Sequence, residues 1–143
     1  MSTVVSLRLK DEQAERLSRV ARRLGRTPSE AAALLLDESL RRADFAFVEF
    51  RDSPVGRQAY LQGTRLAVWQ VVSLARHYGQ SIQSTAEHLG IPSVQVAAAL
   101  HYAEAYPNEI EMAIADSACH LTELRRLVPD VEVFEAETDA ASA

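Results

Sequence analysis

Val4-Val5-Ser6-Leu7-Arg8-Leu9-Lys10-Asp11 opens the chain with apolar Val5, Leu7 and Leu9 alternating with polar Ser6, Arg8 and Lys10. A period of two marks a strand with one buried and one exposed face. Asp11 reads as the N-cap of a helix, in which Ala14, Leu17, Val20, Ala21 and Leu24 recur at helical spacing. Between them stand Arg16, Arg19, Arg22 and Arg23, a solvated face partly paired with Glu12 and Glu15. Gly25 closes this helix, because glycine takes the left-handed conformation at little cost. Thr27-Pro28-Ser29-Glu30 is a capping box with proline at the first helical position. It starts a second helix that carries Ala31, Ala32, Leu34, Leu35 and Leu40 to about Asp44.

One strand and two short helices are an incomplete fold. A lone strand has two unpaired edges, and so few helical turns bury little surface. A second copy completes it: two such strands, antiparallel across a two-fold axis, form a ribbon over four helices. Ser6 and Arg8 of each chain then point outward, and dimerisation becomes a requirement.

The order of strand, cap, Gly25-Arg26-Thr27 turn and capping box over Val4–Leu40 resembles the ribbon-helix-helix repressors of the Arc, MetJ and CopG type. The resemblance covers about 40 residues. It implies that alternate strand residues, here Val4, Ser6 and Arg8, reach base edges in the major groove. It also implies that the start of the second helix, with Thr27 and Ser29, anchors a phosphate, and that Lys10 and Arg26 are phosphate neighbours. Arg8 suits guanine O6 and N7, and Ser6 can donate or accept. Val4 departs from the polar residue usual there; it either meets a thymine methyl or sits at a frayed terminus.

Charge is distributed to match. The chain of 143 residues has net charge −5, yet residues 1–44 hold nine Lys/Arg against seven Asp/Glu, whereas residues 116–143 hold two against seven. A cationic head and an acidic tail suggest different partners. At 48% hydrophobic and 24% charged the composition is that of a globular protein. No apolar run approaches a membrane span, no secretory signal opens the chain, and the single Cys119 suits a reducing compartment. A cytoplasmic protein is expected, with Cys119 a small buried side chain.

Phe45, Phe47, Val48 and Phe50 read as a strand, Asp52–Gly56 as a turn, and Ala59-Tyr60-Leu61 as a strand pairing back. After the turn at Gln62–Arg65, a helix runs through Val68, Trp69, Val71, Val72 and Leu74 to Gly79. Arg65 either touches a phosphate or braces its turn. Ser81 caps a short helix to Leu89, Gly90-Ile91-Pro92 turns, and Ser93 caps a longer helix over Val94–Tyr106. Ala86, Gly90 and Val96 supply the small, turn and buried positions of a helix-turn-helix. Gly63-Thr64-Arg65, these caps, and Tyr102 through Glu109-Ile110 resemble a winged-helix, VapB-like antitoxin domain of the kind paired with PIN-like ribonuclease toxins. The resemblance spans residues 45–115. Val55-Gly56-Arg57-Gln58 replaces a more glycine-rich turn of that family. Between residues 77 and 124 there is no Lys or Arg. A recognition helix without cations cannot supply phosphate affinity, so this domain reads as a protein-binding or dimerising module. Trp69 and Tyr102 are expected in its core or a dimer interface.

Ile110, Ile114, Leu121, Leu124 and Leu127 line a last helix that Pro129 stops. Beyond it, Val131, Val133 and Phe134 alternate with acids. They are either teeth of a toxin-binding segment that folds on its partner or part of a solvated tail. His77, His88, His101 and His120 have no metal-ligand spacing, and no nucleophile or phosphate-loop motif is present, so no metal, no cofactor and no catalytic residue is expected.

The fold class expected is therefore mainly α with short β-strands. It comprises a ribbon-helix-helix domain over 1–44, a small winged helix-turn-helix domain over 45–115, and a helical then acidic tail over 116–143. The function this organisation suggests is a type II antitoxin. As a homodimer or higher even oligomer it would bind double-stranded operator DNA to repress its own transcription, and it would neutralise a PIN-like ribonuclease toxin. The alternative is a stand-alone repressor whose second domain drives oligomerisation.

Overall fold

The computed structural model describes residues 1–128, in two compact units, Met1–Asp44 and Phe45 onward. The chain is mainly helical, with one two-stranded antiparallel sheet among the described residues. No helix among them is long and apolar enough to cross a membrane.

The first unit holds α1 (Asp11–Leu24) and α2 (Pro28–Asp44). The cap of α1 is Lys10 and not Asp11. Gln13 Oε1 accepts the Lys10 N–H at 3.2 Å, which leaves Asp11 and Glu12 free to face the positive helix end from within the first turn. Gly25 ends α1 at φ 65°, and the Arg26 N–H reaches back to the Ala21 carbonyl at 2.9 Å. Thr27 Oγ1 accepts the Glu30 N–H at 3.2 Å, so one arm of the expected box caps α2. The strand expected over Val4–Lys10 is not formed in the single chain: residues 1–10 have neither helix nor strand and are exposed throughout. A strand needs a neighbour to pair with, and the one sheet among the described residues is a two-stranded hairpin within residues 48–61.

The second unit begins with a hairpin of β1 (Val48–Ser53) and β2 (Gly56–Leu61), in register from Val48↔Leu61 to Ser53↔Gly56. Strand β1 starts three residues later than the aromatic pattern suggests. Phe47 takes a left-handed φ of 61°, and Phe45 turns into a ring cluster with His101, Tyr102 and Tyr106 at 5.2–5.7 Å. At the hairpin tip Pro54 cannot take a positive φ, so the reversal falls on Gly56 at φ 110°. The Ser53 hydroxyl donates to the Gly56 carbonyl at 2.6 Å. One glycine thus suffices for this reversal.

Helices α3 (Val68–His77), α4 (Ile82–Leu89), α5 (Ser93–Ala105) and α6 (Pro107–Leu127) complete the unit. Ser81 caps α4, its Oγ accepting the Ser84 N–H at 3.2 Å, and Gly90 closes it at φ 66°. Pro92, not Ser93, precedes the first residue of α5; its carbonyl accepts the Gln95 N–H at 3.0 Å. Helix α3 is central, packing against α4, α5, α6 and β2. The core is built from Val48, Leu61, Val68, Val71, Val96, Ala99, Tyr102 and Ile110. Tyr102 is wholly buried, and its hydroxyl donates to Glu109 Oε2 at 2.5 Å, satisfying the polar tip that burial would otherwise strand. Arg76 of α3 pairs with Glu111 of α6. Their hydrogen bond raises the Arg76 pKa and lowers that of Glu111.

Candidate nucleic-acid interface

The leading segment shows what its alternation demands and what a single chain lacks. Val5 is 70% exposed, Leu7 71% and Leu9 42%, and Leu36 and Leu40 of α2 are exposed as well. Within this unit the buried apolar side chains are Ala21 and Ala31. Leu17, Val20, Leu24, Leu34 and Leu35 are half-buried around them. That is a small core against the chain entropy of more than forty residues, since each fixed residue costs about 1–2 kcal/mol, and Val5, Leu7 and Leu9 stay outside it in the single chain.

Ser6, Arg8 and Lys10 occupy the alternate positions and are exposed. Lys10 is fixed as the cap of α1. Arg26, Thr27 and Ser29 come together in the α1–α2 turn at the positive end of α2. Pro28 has no N–H, Thr27 Oγ1 takes that of Glu30, and the Thr27 carbonyl takes that of Ala31 at 2.9 Å. No hydrogen bond to the Ser29 N–H or hydroxyl is described among these residues. Val4, Ser6 and Arg8 are not joined to the turn by any hydrogen bond or ion pair among the described residues. Between residues 8 and 26 stand seven Lys/Arg against three Asp/Glu, all exposed.

The second unit has the opposite electrostatics. Its helices α4 and α5 lie within the stretch that lacks Lys and Arg. Val94 and His101 of α5 are exposed, with Glu104. Arg65 is exposed and braces nothing described. Arg51 braces that turn instead, donating to the Thr64 carbonyl at 2.7 Å while Glu49 holds its other nitrogens. Thr64 adds its own bond to the Leu61 carbonyl at 2.8 Å. Arg51 sits 13 residues before Thr64, so no local pattern could reveal it.

Trp69 belongs, as expected, at the edge of the core, but it also lines a groove of about 340 Å³ between the hairpin, α3 and α6. The groove went unnoticed in the sequence, although Ile110, Ala113, Ser117 and His120 lie at helical spacing on one wall. Cys119 is exposed on α6 and not buried; packing of that helix against the unit has ended by then, and no residue from 118 to 128 whose burial is described is covered. Val131, Val133 and Phe134 lie outside the described residues. No family model matches the chain, and comparisons with curated proteins and with solved structures return no match either.

Proposed function

We propose that the protein is a homodimeric ribbon-helix-helix DNA-binding regulator and the antitoxin half of a toxin–antitoxin pair. One observation carries the DNA-binding half: a cationic unit of 44 residues buries two apolar alanines and exposes Val5, Leu7 and Leu9 on alternate positions. Antiparallel pairing of two leading segments covers those three side chains and turns Ser6 and Arg8 of each copy outward. That two-stranded edge fits a major groove. Lys10, Arg26 and the start of α2, with Thr27 and Ser29, flank it as phosphate contacts.

The second unit, read as a winged helix-turn-helix, is a protein-binding module in this scheme. Its six acids and no Lys or Arg between residues 77 and 124 disfavour a polyanion and favour a cationic protein. The partner proposed is a PIN-like ribonuclease toxin, with the acidic segment after α6 as a second point of hold. Two experiments test the scheme: a mobility-shift titration on the DNA upstream of its own gene, and co-purification with the product of the adjacent reading frame. Deleting residues 116–143 is expected to spare the first and abolish the second. A truncated chain that still neutralises its partner overturns the role of the tail. If no adjacent partner binds the full chain while specific DNA binding persists, the stand-alone repressor is the better reading.

A further inference from the structure

We infer that the groove between the hairpin, α3 and α6 is a docking site for a cationic, apolar segment of a partner protein. The inference rests on the partner-binding half of the function proposed above and says where, and by what chemistry, that partner is held.

The groove holds about 340 Å³ and is walled by Val55, Ala59, Trp69, Met112 and Ala113. Two of these apolar walls face water: Val55 is 60% exposed and Met112 67%. Solvent-exposed methionine beside an aromatic ring is an adaptable surface for a partner's apolar side chain. Trp69 is half-buried at this wall: it lines the groove, while its Nε1–H is buried inside the protein, out of a docked segment's reach.

Charge selects the occupant. Asp116 is exposed on the α6 side, two turns beyond Glu109, whose Oε2 already accepts the Tyr102 hydroxyl. The one cation of the lining, Arg57, is already matched by Asp52 at 3.0 Å. The α6 wall belongs to a stretch, residues 77–124, that carries only acids among its Asp, Glu, Lys and Arg residues. A segment with an apolar face and a Lys or Arg beside it satisfies both the apolar walls and the acidic side. The chain's own acidic residues 130–137 meet the same carboxylates with like charge.

Trp69 is the single tryptophan of the chain, so its emission reports on the groove directly. The probes are four tryptophan-free synthetic peptides: an amphipathic Leu/Lys helix, a scramble of it, its Leu/Glu counterpart, and the chain's own residues 129–143. Titrated into the full-length protein, the amphipathic Leu/Lys peptide is expected to shift Trp69 emission saturably. The scramble and the Leu/Glu peptide should bind at least ten-fold more weakly. Asp116→Lys, at an exposed helical position, should cost at least ten-fold in affinity with the circular dichroism unchanged. Ala113→Arg should cost as much by filling the groove. Equal binding of amphipathic and scrambled peptides, or unaltered affinity in Asp116→Lys, overturns the inference. So does tighter binding of the 129–143 peptide to a chain ending at Val128, which would make the tail the occupant. A partner that co-purifies with Asp116→Lys as well as with the parent chain removes the groove and leaves the antitoxin reading standing. Peptide binding in the groove without any co-purifying partner does the reverse.

Discussion

Leu7→Ser separates a dimer built on the leading segments from every other way of assembling this chain. Leu7 is 71% exposed in the single chain and lies at the centre of the alternating stretch from Val4 to Lys10, where the two copies of the proposed dimer would cross. Full burial of a leucine side chain stabilises by about 1.5–3 kcal/mol, so covering the exposed fraction contributes about 1–2 kcal/mol per copy. Both copies change together, giving about 2–4 kcal/mol per dimer, or a dissociation constant weaker by roughly thirty- to eight-hundred-fold. Sedimentation equilibrium of the full chain over a range of loading concentrations measures this directly. Ser6→Ala, one position away on the opposite face, serves as control and should leave the constant within about two-fold, as expected of a surface substitution. The reasoning fails if Leu7→Ser dimerises as tightly as the parent, or if Ser6→Ala is the more damaging of the two.

Three further outcomes follow from the second unit and are checked on the full chain. Tyr102→Phe removes the buried hydroxyl that donates to Glu109. It should lower the stability of the unit by about 1.5–3 kcal/mol, as for a bond to a charged acceptor, in chemical denaturation followed by Trp69 emission. Gln80 holds a φ of 68° without being glycine, and Gln80→Gly should raise the same midpoint by an amount equivalent to about 0.5–1 kcal/mol after the added chain entropy is offset. The Arg76 pairing lowers the Glu111 pKa below its ordinary value of 4.5. Its stabilising contribution is therefore present above that value and lost as pH falls through the lower, folded-state value. Parent and Glu111→Gln should differ slightly at neutral pH and converge in acid; a difference that grows in acid contradicts the pairing.

Short-range chemistry was the legible part of this chain. Gly25 and Gly90 end helices because each needs a left-handed φ, and Ser81 caps α4 with a bond to a residue three positions on. The mainly helical chain with one small antiparallel sheet follows from the same periodicities. What misled was competition among neighbours. Asp11 and Lys10 both could start α1, and Gln13 decided between them by taking the Lys10 N–H. Phe45 looks like strand but finds three rings to pack on. Contacts distant in sequence were not legible: Arg51 on the Thr64 carbonyl, Tyr102 on Glu109, and the groove that gathers Val55, Trp69 and Ala113 from three elements. The candidate ribbon is a different case. Its pattern is explicit in Val5, Leu7 and Leu9, yet the strand proposed there pairs with a second copy, and the single chain shows those three side chains exposed.

DNA affinity of the Arg8→Ala dimer tests the central claim most directly. Fluorescence anisotropy at fixed salt, with duplex from upstream of the gene and with random duplex, should show the parent preferring its own site by about 10³-fold or more. Arg8→Ala should bind both duplexes alike, at the weaker non-specific level, while remaining a dimer. Retained preference in Arg8→Ala, or no preference in the parent, would contradict a reading edge formed by Ser6 and Arg8.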